Sequence, residues 1–336
     1  GFFSNTATLN GGDGFRFFFE DINTIFADNH ANYNGRDGFF FYTLDDFNEF
    51  GALIYNSAVG NGAHGFHFFL ADDFQGFMAN NTASYNGGSG FFFEAADDFQ
   101  DIAEFLDNVA EGNQGHGFHF NINEDFEGVF DGNRAVNNGG DGAFFQIVND
   151  LSNSPFVGPG LITNNTFLNN RGNGLTIYVF DDLIGDVQII GNEARNNGGD
   201  GINVFVAGET VAPVPFAFPE LSFNVTSNND RNGFVFEGGD GFFGSDFVGN
   251  TANGNGANGV VFLLDPMDLA PSGFSETIDF FSFFTDNVTI GNAGFGIVSD
   301  VDEDFPLDTG NVQMGNGAGD RSVLGADDLG NNVSDP

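Results

Sequence analysis

One string recurs along the whole chain: asparagine, four residues, asparagine, three residues, glycine, apolar residue. Its glycine falls at Gly14, Gly38, Gly65, Gly90, Gly117, Gly142, Gly174, Gly201, Gly233, Gly259 and Gly296. Asparagine stands four residues before every one of them, from Asn10 and Asn34 to Asn292, and nine before, from Asn5 and Asn29 to Asn287. No copy breaks either column. Successive glycines are 24 to 27 residues apart except for late steps of 32, 32 and 37. A period of this size marks a solenoid, in which each repeat is one supersecondary unit that buries its apolar face only against its neighbours.

After the glycine, positions +1, +3 and +5 are mostly apolar, as in Phe39, Phe41 and Thr43, then Phe66, Phe68 and Leu70. Alternation of period two predicts a strand with one buried face. Stacking copies at the ~4.8 Å interstrand spacing places like residues over like. The asparagine columns then become ladders, each amide bonded to those above and below, as in stacked cross-β chains. The glycine is expected to supply a corner angle that other residues resist.

The pattern in Asn81-Thr82-Ala83-Ser84-Tyr85-Asn86-Gly87-Gly88-Ser89-Gly90-Phe91-Phe92-Phe93 resembles the right-handed parallel β-helix repeat of the pectate-lyase-like superfamily. The resemblance implies an all-β fold, a right-handed parallel β-helix of about eleven coils over residues 1–304. An irregular C-terminal tail, 305–336, would serve as cap, linker or donated strand. Proline-bearing insertions near 149–160, 207–220 and 265–284 follow the glycine strand and should emerge on one side of the rod, where partners bind. The superfamily spans lyases, hydrolases, epimerases, adhesins, phage spikes and structural proteins, so the fold does not fix an activity.

Composition narrows the partners. The chain carries 48 acidic residues against 7 basic ones, a net charge of −41. All seven basic residues are arginine. Nucleic acid and anionic membrane surfaces are excluded, since both need basic side chains. Without cysteine there is no disulfide, thiol catalysis or thiolate metal site. No apolar run reaches the ~18 residues of a membrane span, and a chain that is 40% hydrophobic has ample material for a core. The start at Gly1-Phe2-Phe3 reads as a processed product or an excised piece. Extreme acidity without lysine or cysteine fits an extracellular or cell-surface protein.

Three columns are candidates for chemistry. Positions +7 and +8 after the glycine give Asp45-Asp46, Asp72-Asp73, Asp97-Asp98, Glu124-Asp125 and Asp181-Asp182, with Asp21 and Asp150 as partial members. Unit charges stacked about 5 Å apart repel by nearly 1 kcal/mol even in water. The column should therefore attract cations, and Ca2+ is the ion that suits several carboxylates; the plainer reading is a solvated acidic turn. No cofactor is required. Histidines occupy matched places in alternate coils, His64 and His67, then His116 and His119. Gly115-His116-Gly117 with Asp97-Asp98 one coil earlier resembles part of the polygalacturonase site. The Asn-Thr-Asp and Arg-x-Lys segments of that family are missing, and pectate lyases want a basic residue beside calcium. Both points argue for a non-enzyme and for histidines that are repeat drift at outward positions. The third column is aromatic: outward positions +2 and +4 include Phe18, Phe40, Tyr42, Phe69, Phe92, Phe144, Tyr178 and Phe205. So large an apolar stripe implies a subunit interface, cover by another part of the chain, or a platform for polysaccharide. Glycosylation triplets at Asn80, Asn164 and Asn332 should point outward, whereas those at Asn224 and Asn287 are ladder members and unavailable.

These features lead to an expected structural role, an extracellular β-solenoid subunit that self-assembles into a homo-oligomer or filament. The alternatives are a polysaccharide-binding or polysaccharide-degrading β-helix, and an adhesin or phage-type fibre.

Overall fold

The computed structural model describes all residues except 49, 100–102, 153–160, 182, 185–186, 208–209, 212–219, 239–244, 264–280, 303–307, 310, 325–332 and 335–336. Each coil contributes three short strands. In one coil these are Phe77–Ala79 on a first face, Thr82–Ser84 on a second and Phe91–Ala95 on a third. Among the described residues, stacking builds three parallel sheets of 12, 13 and 12 strands, a parallel β-helix in which repeats pair in register apart from shifts at Ser245/Asp246 and Ser299/Asp302. Phe91, for example, lies between Phe66 and Phe118. Among the described residues no helix is long and apolar enough to cross a membrane.

The core is a set of phenyl columns. Phe41, Phe68, Phe93, Phe120 and Phe145 stack with centroids 4.8, 4.6, 4.8 and 4.5 Å apart and planes within 6° of parallel. Phe105 and Phe130 meet them edge-on from the first face. Offset stacks and edge contacts both suit the ring quadrupole, at about 0.5–1.5 kcal/mol per pair beyond burial. The second face contributes a column of fully buried alanines, Ala31, Ala58, Ala83, Ala110 and Ala135, whose small size lets the opposite wall come close.

Both asparagine ladders form. Asn81 accepts from the backbone and side-chain N–H of Asn56 at 2.9 and 3.0 Å and donates its own pair to Asn108 at 3.0 Å. Its second amide proton goes back to the Leu53 carbonyl at 2.8 Å. From Asn29 and Asn34 to Asn287 and Asn292 each rung is buried and hydrogen-bonded to both neighbours, which removes the cost of placing an amide in an apolar core. The ladders run one rung past the eleven copies, to Asn311 and Asn316. Val312–Met314 pairs with Val288–Ile290 and Gly319–Leu324 with the strand Phe295–Asp302, so described parts of 305–336 continue the stack. The glycine at position 320 of that copy is replaced by Asp320, which hid it from the pattern.

The repeat glycine has a different role from the one expected. It is not where the backbone turns left-handed. Those corners lie at Asn80 and Tyr85, both at φ near 56°, and at matched residues in other coils. The glycine is needed for close approach: a Cβ on Gly90 would stand 2.7 Å from the Gly117 carbonyl oxygen, 2.9 Å from Asn113 Nδ2 and 3.0 Å from Ala110 Cβ. The ladder and the glycine are thus one device.

The insertions fall largely outside the described residues. Described parts of the first two, Leu151–Ser152 and Thr210–Val211, flank Leu183–Ile184 in a small parallel sheet. It continues a column of bridges through Ile22, Phe47, Phe74, Phe99 and Phe126 to Leu151.

Candidate ligand-binding face

The acidic turns are pinned from inside. The first four pairs are each followed by a ring that enters the core: Phe47, Phe74, Phe99 and Phe126 are all fully buried. Their bridges hold the turns in register, so the carboxylates stack. Asp21, Asp45 and Asp46, then Asp46, Asp72 and Asp73, then Asp73, Asp97 and Asp98 form three groups whose oxygens lie within 4.8 Å of one another. Burial and then like charges push the Asp73 carboxyl up to about 6, and the same causes raise Asp46 and Asp97. Burial also raises Asp98, which accepts the Asp125 backbone N–H at 2.8 Å. Higher in the column oxygens serve as hydrogen-bond acceptors: Asp125 accepts from the Asp150 amide at 3.0 Å and Glu124 from the Asn149 side chain. Of the further pair, Asp181 is exposed and position 182 lies outside the described residues.

A third ladder, at the residue just before the repeat glycine, escaped the sequence reading. Asp13, Asp37, His64, Ser89, His116, Asp141, Asn173, Asp200, Asn232 and Asn258 occupy it. Nearly all accept the backbone N–H of the matched residue in the next coil: Asp37 Oδ1 accepts from the His64 amide at 2.9 Å, His64 Nδ1 from the Ser89 amide at 3.1 Å, His116 Nδ1 from the Asp141 amide at 3.0 Å and Asp141 Oδ1 from the Asn173 amide at 2.7 Å. The signal was present, since every one of these residues carries an acceptor, but four side-chain types share the column. His64 and His116 are therefore not drift. Their Nδ1 lone pairs hold the coil, and burial lowers the pKa of both.

His67 and His119 do point outward, within a continuous file of rings. Phe40, His67, Phe92, His119 and Phe144 follow one another at 5.0, 5.1, 4.8 and 5.2 Å. Burial drives His119 down to about 4, helped by His116, against a hydrogen bond to Asn121. His67 stands between Asp37 at 3.2 Å and Glu94 at 3.4 Å. Burial alone would raise Asp37, but bonds from His67 and from the His64 amide outweigh it and hold the carboxyl below its usual value.

Beside this file runs the +4 column. Phe18 and Tyr42 lie 5.7 Å apart, and Tyr42 stacks on Phe69 at 5.2 Å and 4°. At Glu94 the aromatic run stops and polar residues take over: Phe69, Glu94, Asn121 and Gln146 are consecutive in register. They line an open groove of about 340 Å³ with Asn123. The sequence put aromatics along this face but not the switch from ring to amide within one column. A second hollow of about 390 Å³, beside Gln114, Asn137 and Arg171, has no aromatic lining.

No family model matches the chain and no curated protein matches it. Among solved structures it is similar to a mutant of the periplasmic alginate epimerase AlgG, with 12% identity and a TM-score of 0.47 over 94% of this chain and 75% of that one.

The sequence-level glycosylation sites Asn80 and Asn164 sit at left-handed corners and are exposed. Asn332 lies outside the described residues. Asn224 and Asn287 are buried ladder members.

Proposed function

We propose that this protein is an extracellular β-helix that binds an uncharged polysaccharide in the groove of its third face. One observation carries the reading: Phe69, 39% exposed, offers a flat platform at the end of a polar row made by Glu94, Asn121 and Gln146. Apolar sugar faces stack on rings, and hydroxyls pair with fixed amides and carboxylates; a few such polar groups set orientation. Consecutive strands give three steps of ~4.8 Å, about 14 Å of groove, room for a short run of sugars. Among the described residues the one charged side chain lining it is Glu94, and the chain carries −41, so a polyuronate would be repelled. Binding rather than hydrolysis follows from the same lining. Hydrolysis uses two carboxyl groups roughly 5–9.5 Å apart across the bond, and the described lining holds one.

Calcium on the acidic column belongs to this reading as a support for the scaffold, motivated by the three close carboxylate groups. Affinity electrophoresis against neutral and uronic-acid polysaccharides tests the function. Retardation by a neutral glycan supports it, and retardation only by polyuronates, or by nothing in the panel, ends it.

A second reading, lateral self-assembly, is favoured by corner aromatics. Tyr33, Tyr55, Tyr85 and Phe223 are each at least 60% exposed. Sedimentation at high concentration separates the two: assembly requires a concentration-dependent rise in mass, whereas glycan binding does not.

A further inference from the structure

We propose that Asp37, His64 and His67 form a binding site for a borderline divalent ion of the zinc class, with Glu94 as the carboxylate that orients His67. The three side chains come from adjacent coils and present ligand atoms within 4.8 Å of one another. Asp37 Oδ2 and His67 Nδ1 are 3.2 Å apart, and two donors about 2.0–2.1 Å from a tetrahedral zinc stand about 3.3 Å apart. The spacing therefore already matches a shared ion. Both side chains are sheltered, at 10% and 16% exposure, which favours a charged partner over solvent.

The hydrogen-bond chemistry is consistent with this assignment. With the Nδ1 lone pair of His67 on the ion, its proton sits on Nε2 and is donated to Glu94 Oε2, 3.4 Å away. A carboxylate behind a ligating histidine fixes its tautomer and raises its basicity. His64 has one lone pair, and Nδ1 now uses it to accept the Ser89 amide proton. Binding exchanges that hydrogen bond for a coordinate bond, and the coordinate bond must offset the cost of freeing the buried Ser89 amide. Two histidines and one carboxylate leave open positions for water or ligand, and imidazole donors select zinc-class ions over calcium.

The repeat supplies its own control. Two coils further on, His116 and His119 occupy the same two positions as His64 and His67. The places of Asp37 and Glu94 are there taken by Ser89 and Gln146. The duplicated pair keeps the imidazoles and lacks both carboxylates, and His119 Nε2 turns to Asn121 at 3.0 Å. Asp141 Oδ2 comes no closer than 4.0 Å to His116 Nδ1, and among the described residues only the first pair belongs to a group of three close ligands.

The test is titration of the full chain with Co2+, followed by its visible ligand-field absorption, with excess Ca2+ present to occupy the acidic column. The expected result is one Co2+ per chain, displaced by Zn2+. His67→Phe, which installs the residue found at Phe40 and Phe92 in the same file, should lose the signal, and His119→Phe should keep it. Glu94→Gln, at a half-exposed side chain, should weaken binding by roughly 10–100-fold. Binding that survives His67→Phe, binding lost equally in His119→Phe, or no imidazole-type absorption in the parent chain would each overturn the assignment. Far-ultraviolet circular dichroism of each variant checks that the coil is intact.

Discussion

At the residue scale the fold depends on side chains whose hydrogen-bonding capacity is full. Asn113 accepts two N–H groups from Asn86 and donates to Asn138 Oδ1 and the Ala83 carbonyl. Asn113→Ala leaves these partners buried and unpaired, a cost on the order of 3–5 kcal/mol, readable as a fall in the urea midpoint. Gly90→Ala should cost about 1–3 kcal/mol by overpacking, because its Cβ meets backbone oxygen 2.7 Å away. A backbone-angle role would instead have predicted strain at positive φ. Histidine 119 sets an acid limit. Its pKa falls from 6.5 to about 4 on folding, so the unfolded chain binds the proton first as pH drops. The stability it contributes is present above 6.5 and lost toward about 4. His119→Phe should therefore be less acid-sensitive than the parent across that window, measured by melting temperature.

At the element scale the legible features were those repeated by identical residues. The asparagine columns and the phenylalanine alternation were readable because one chemistry fills every copy, and both became the ladders and ring stacks. The column before the glycine was not, because Asp37, His64 and Asn173 do one job with different atoms. Nor was the anchor of the acidic turn, although Asp72-Asp73-Phe74 and Asp97-Asp98-Phe99 spell it out, since attention to charge hid the buried ring beside it. The site was half legible: Phe40, Tyr42, Phe69, Phe92 and Phe144 do share one face, but the groove arises from register between Phe69 and three polar residues in later coils. The acidic element has its own titration. Asp73 is raised from 3.8 to about 6, so it stabilises the fold fully below 3.8 and loses this as pH rises through about 6. Asp73→Asn should then melt higher than the parent above that pH, with the gap closing in acid. Ca2+ should close it at neutral pH by screening the same charges.

At the scale of the whole molecule, a rigid stack turns one-dimensional sequence order into spatial order. Each coil adds one strand to each face, so a change at a single outward position places a new group about 4.8 Å along the rod. Ring file, zinc-class site and groove are neighbours because Asp37, His67, Phe69, Glu94 and Gln146 lie within a few coils of each other. The scaffold tolerates this because its stability lies in repeated inward contacts, summed over neighbours, leaving the outward positions free to vary. The measurement that bears most directly on the proposed role is calorimetric titration of a neutral oligosaccharide into the parent chain and into Phe69→Ala. Saturable binding to the parent that weakens on the order of tenfold on loss of the ring, as about 1.4 kcal/mol of stacking implies, is the predicted result. Equal affinity in both, or no heat with any neutral oligosaccharide, would contradict it.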